Sequence, residues 1–248
     1  MKDFLFIFRH YFMRAFRDPQ TVIFLVLLPL GIITVTGFID FEGNIVNGYN
    51  ITATFNAAFN FVAFQFFSGQ WLTDYLHNDF SGSVSWRLRS APIPKMTFFF
   101  ATTLGIWVFT ILQGVLIIAV TAVFFDVYWG NPLILALVLL IISIMAQLFA
   151  ILIFLFTRSK GSGTAVSMTV IFGMMIMSGF GGLFTLGGRV GEFLITHGTP
   201  ISLAGRAVIY SGFIFDDMSS ALFNIAVLSV ITAVMAAAVV ILGRRLKI

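Results

Sequence analysis

The sequence predicts an all-α, polytopic membrane protein: six transmembrane helices, an N-terminal interfacial helix and an outer re-entrant helical hairpin. Three observations carry that prediction. Of 248 residues, 59% are hydrophobic and 10% charged. A soluble domain has about 25% charged residues, so this chain lacks the polar groups to cover itself in water; its 31 phenylalanines suit a lipid-facing surface instead. Second, a helix needs roughly 20 apolar residues to cross hydrocarbon, and six windows run that long without Asp, Glu, Lys or Arg. They are Pro19–Ile39, Gly43–Thr73, Met96–Phe125, Val127–Thr157, Gly161–Gly188 and Met218–Gly243. Third, six spans place 12 of the 14 Lys and Arg residues on one side, together with both termini, leaving only Arg189 and Arg206 opposite. By the positive-inside rule both termini are cytoplasmic. The net charge of +4 follows from this topology and implies no nucleic-acid partner.

In chain order, residues 3–17 place Phe4, Ile7, Phe8, Tyr11, Phe12, Ala15 and Phe16 at helical spacing, with Arg9, His10, Arg14 and Arg17 on the other face. That pattern predicts a helix lying at the inner leaflet, or else a plain extension of the first span. Asp18-Pro19 suits the turn into span 19–39, since Pro fits a first helical turn, and Pro29 should kink that span. The second span, 50–73, carries Asn56, Asn60 and Gln65. Asn56 and Asn60 are four apart and share a face. Amides in hydrocarbon must be bonded or wetted; they either line a pathway or hold helices together.

Residues 74–95, DYLHNDFSGSVSWRLRSAPIPK, form the longest polar stretch on the predicted inner face, and a soluble partner is expected to grip the protein there. Spans 96–125 and 133–157 join through a tight outer turn with Tyr128 and Trp129 at interfacial depth. The fifth span, 164–186, is rich in methionine, including Met174 and Met177, and dissolves into a glycine cluster that permits a break and close backbone approach. Residues 187–217 are too interrupted to span and read as the outer hairpin, with Thr199-Pro200 as the cap and first turn of a helix to about Tyr210. The last span, 218–243, ends in an Arg244-Arg245 anchor.

No predicted span carries a charged residue near its centre, and the three histidines fall in flanking segments. Proton or ion coupling usually needs ionisable groups at depth, and a zinc site needs ligands such as His. The phosphate-cradling G-x-x-x-x-G-K-[ST] pattern occurs nowhere.

The opening FRHYFMRAFRDPQTVIFLVLLPL, the inner segment Gly82-Ser83…Trp86-Arg87-Leu88-Arg89…Ala91-Pro92, and the glycine-rich end of the fifth span followed by Thr199-Pro200 together resemble the permeases of ABC-2-type transporters, drug exporters in particular. One departure is the lone acid Asp79 before Gly82. The resemblance implies a permease subunit that is not itself an enzyme and holds no cofactor. It would pair with a second permease and with two cytosolic ATP-binding subunits, which carry ATP and Mg. It further implies that Asp79, Gly82, Ser83, Trp86, Arg87, Leu88, Arg89 and Pro92 couple to the ATPase; the candidate lining residues Asn56, Asn60, Gln65, Met174 and Met177 carry no fixed charge, which suits an apolar or amphiphilic cargo. A multi-pass protein of a bacterial plasma membrane, surrounded by lipid, is expected. A carrier or channel working without an ATPase is the competing reading.

Overall fold

The computed structural model describes residues 2–39, 45–46, 49–82, 85–90, 93–179, 187–212 and 217–245. The loop acids Asp40, Glu42 and Asp216, the predicted end of the fifth span at 180–186, Ser83, Ala91, Pro92 and Lys247 lie outside them. The regular elements among the described residues are helices save for a minimal antiparallel pair, β1 (Ile45–Val46) with β2 (Tyr49–Asn50).

α1 (Lys2–Arg17) meets α2 (Pro19–Val22) at a 67° bend. Asp18 sets the corner: its carboxylate accepts from Gln20 N at 3.1 Å and from Thr21 Oγ1 at 2.7 Å, and Pro19 opens the new helix. The bend separates α1 from the segment that follows, as an interfacial helix requires and a straight extension does not. Ile7, Tyr11 and Ala15, at successive i, i+4 positions, turn into the bundle, while Leu5, Phe6 and Phe16 remain exposed. α1 packs against α6 (Lys95–Phe124) at Gly105, where an added Cβ would stand 3.0 Å from Phe8 O and 3.2 Å from Phe12 N.

α2 continues through a π-helical turn, Ile23–Leu27, into α3 (Leu28–Ile39). Pro29 has no N–H for the carbonyl four residues back, that of Leu25. Gln113 of α6 supplies the missing donor, its Nε2 reaching Leu25 O at 2.8 Å. Gln113→Leu should leave this buried carbonyl unpaired and lower stability by about 1–3 kcal/mol, read as a reduced thermal midpoint in detergent.

α4 (Ile51–Phe80) is the centre of the bundle, packed by α3, α6, α7 (Pro132–Phe156), α8 (Lys160–Met177) and α10 (Pro200–Tyr210). A short helix, α5 (Ser85–Ser90), follows α4; α9 (Gly188–His197) precedes α10, and α11 (Met218–Arg245) closes the chain. Thr199 caps α10, accepting from Ser202 N at 3.1 Å, and most of α10 is buried against α4, α7 and α11.

Among the described residues, three helices are long and apolar enough to cross a membrane: Met96–Phe124, Pro132–Phe156 and Met218–Arg244. The bent pair Asp3–Arg17 and Pro19–Val35 makes up to four. Only 6% of the best α11 window is buried, and an apolar helix so little covered by protein needs lipid around it. The predicted second and fifth spans fall on α4 and α8, which fall short of that standard. In α4 the cause is its amides: Asn56, Asn60, Gln65 and Gln70 are all buried in protein, so their polarity meets neighbouring helices rather than lipid.

Candidate functional site

A cluster of polar and charged side chains gathers at one end of the bundle, around the last two turns of α4. Helical spacing distributes them among three neighbours. Tyr75 and Asp79 meet α1: the Tyr11 hydroxyl donates to Asp79 Oδ2, Arg14 Nη1 lies 3.9 Å from the same oxygen, and the Arg14 guanidinium sits 4.3 Å over the Tyr75 ring. Thr73 and His77 meet α7. Thr73 Oγ1 donates to Ala150 O at 3.1 Å, and His77 Nε2 lies 3.1 Å from Thr157 Oγ1. Asp74 meets α8, accepting from Thr164 Oγ1 at 2.8 Å with Lys160 Nζ at 3.9 Å. Gly163 lets α8 approach: a Cβ there would stand 3.0 Å from His77 Cε1.

Burial raises the pKa of both Asp74 and Asp79 above the ordinary 3.8; the Thr164 and Tyr11 hydrogen bonds and the nearby cations oppose this only in part. Burial, then the Asp79 charge, pushes the Tyr11 phenol up as well. A carboxyl raised on folding contributes stability that is present below its unfolded pKa and lost as pH rises through its folded one. The isolated protein should therefore lose stability as pH climbs above the ordinary carboxylate value. Asp74→Asn and Asp79→Asn should each flatten that slope when unfolding midpoints are followed against pH.

The predicted coupling residues follow at once. Gly82 sits where a Cβ would run into the Asn78 carbonyl oxygen, so a side chain there forces the end of α4 to move. Ser85 N donates to Gly82 O at 3.1 Å, starting α5. Trp86 on α5 is 62% exposed. Arg87, Leu88 and Arg89 lie on α5. Asp79 faces α1 from inside the fold.

Of the predicted lining residues, Asn56, Asn60 and Gln65 are buried along α4. Asn60 Nδ2 donates to Asn56 O at 2.8 Å and Gln65 Nε2 to Thr110 O at 3.3 Å, while all three amide oxygens lack a partner among the described residues. Met174 and Met177 are half-buried on α8. Sequence reasoning missed the tethers of Tyr11, Arg14, Asp74, Tyr75, His77 and Thr157. The basic helix and the two acids were visible, but pairing across 68 residues, as between Tyr11 and Asp79, leaves no local periodicity to read.

A helical membrane protein whose two described ion pairs both lie at the end of its central helix, just ahead of a short helix, is the class defined so far. The chain belongs to the ABC-2 type transporter family, whose pattern matches residues 2–183. It is thus a transmembrane transport subunit of the kind that works with an ATP-binding subunit. No curated protein matches it.

Proposed function

We propose that the chain is the permease subunit of an ATP-driven exporter, moving an apolar or amphiphilic solute such as a drug, lipid-like molecule or hydrophobic peptide across a bacterial plasma membrane. Two copies, or this chain and a sister permease, pair with two cytosolic ATPases. On this reading the chain spans six times, with both termini in the cytoplasm. α4 has 30 residues and α8 has 18, about 45 Å and 27 Å at 1.5 Å per residue, comparable with the roughly 30 Å hydrocarbon core. The described basic side chains that meet or flank the α4 terminus favour that end as the inner one.

One observation carries the reading. α5 hangs directly from the only described helix that is tied to α1, α7 and α8 within two turns of its end. A force applied at 82–92 therefore reaches three further helices through Asp79, His77 and Asp74. In this scheme Gly82 allows the tight turn, Trp86 and Leu88 are the apolar anchor, and Arg87 and Arg89 make the ionic contacts. Asp79 passes the motion to α1. ATP binding by the partner draws the ATPases together and tilts α4 and α8 to open a path between permeases. The unpaired amide oxygens of Asn56, Asn60 and Gln65 favour a path that becomes wetted over simple interhelical bonding, and Met174 and Met177 offer an adaptable apolar wall.

Reconstitution of the chain with and without its ATP-binding companion tests this. Accumulation of a fluorescent amphiphile inside inverted vesicles should require both the companion and ATP. Transport by the chain alone, without nucleotide, would establish the carrier reading instead.

A further inference from the structure

A cavity of about 740 Å³ opens between α6, α7 and the C-terminal part of α11, away from the α4 tethers. That volume lies in the range of about 300–1,000 Å³ typical of small-molecule sites. Its walls are apolar except at Thr103, Gln147 and Arg244, and the indole N–H of Trp107 is already given to Ser143 Oγ at 3.0 Å. Along α6 the lining runs from Met96 to Trp107, about 16 Å at 1.5 Å per residue. That is half of a roughly 30 Å hydrocarbon core, so the cavity has the depth of one leaflet. Phe100 and Val240 are more than half exposed, which leaves the cavity open sideways to lipid.

The mouth is cationic. Arg244 is exposed and takes part in neither of the ion pairs among the described residues, Arg14–Asp79 and Lys160–Asp74. Gly243 beside it leaves open space, since an added Cβ meets nothing within 4 Å. α6 also begins at Lys95 and α11 ends at Arg245, so the sequence places two more cations at this depth. We propose that the cavity is a binding site for an anionic phospholipid of the leaflet facing the basic end, with acyl chain along the walls and phosphate at Arg244. A zwitterionic lipid also brings a phosphate, but its own headgroup cation offsets that charge and is repelled by the cations at this level. The site depends on the membrane placement of α6, α7 and α11, not on coupling to ATP.

Native mass spectrometry of the purified protein tests this, with phosphatidylglycerol and phosphatidylcholine of identical acyl chains titrated into detergent. Phosphatidylglycerol should bind about fivefold more tightly, the effect of one basic residue at an anionic lipid surface. Arg244→Gln should bring its affinity down to that of phosphatidylcholine, and Gly243→Phe, filling open space, should weaken both. Equal binding of the two lipids to the native protein would overturn the site, because an acyl slot or detergent trough would then suffice. So would retention of the preference in Arg244→Gln, or equal loss in Arg158→Gln, an exposed cation that does not line the cavity. If Gly243→Phe fails to fold, the comparison of Arg244→Gln with Arg158→Gln decides alone.

Discussion

Gly69→Leu is expected to force α4 and α7 apart and to destabilise the protein at or above the upper end of the roughly 1–3 kcal/mol typical of overpacking. At Gly69 the two helices touch backbone to backbone. An added Cβ would run into the Ala146 carbonyl oxygen and stand 3.1 Å from its carbon. A side-chain neighbour could rotate away, but a helical carbonyl cannot leave without taking its helix with it. One turn further along, Thr73 donates to Ala150 O at 3.1 Å, so separation at Gly69 also breaks the bond that completes the crossing. Unfolding midpoints in detergent should drop sharply for Gly69→Leu. Gly173→Ala, placed where a Cβ meets nothing within 4 Å, should leave them unchanged. A wild-type midpoint for Gly69→Leu would show that the crossing is not held at this residue.

Replacing Leu88 with Asp should abolish cargo-stimulated ATP hydrolysis by the assembled transporter while leaving the chain inserted in the membrane. A carboxylate in an apolar contact is costly to desolvate; on the proposed function that contact is made with a partner, so the permease itself is expected to stay folded. Gly82→Asp should give the same loss by a different route: its Cβ collides with Asn78 and displaces the last turn of α4, moving the tethers together with α5. Basal stability separates the two, unchanged for Leu88→Asp and reduced for Gly82→Asp. Unaltered hydrolysis in the purified complex for both variants would remove α5 as the coupling element.

Much of the candidate site could be read directly along the chain. The corner at Asp18-Pro19, the polar segment after residue 74 and the Thr199 cap are local patterns written in neighbouring residues, and each has a counterpart in the structure. The lining amides were legible as residues needing partners, but not as members of a helix enclosed on nearly every side. Asp79 shows the limit best. In the sequence it is an isolated acid ahead of a turn and invites a partner outside the chain. In the fold Tyr11 and Arg14 already hold it.

Composition and charge placement by themselves settled that this is a helical membrane protein, because the cost of burying charge in hydrocarbon acts on each segment separately; the ABC-2 likeness rests on its motifs instead. Tertiary structure alone decided that α4 is central, that α11 borders lipid, and that a lipid-deep cavity with a cationic rim lies beside it. Those outcomes depend on which helix faces meet, and a face becomes inside or outside only when another element packs against it.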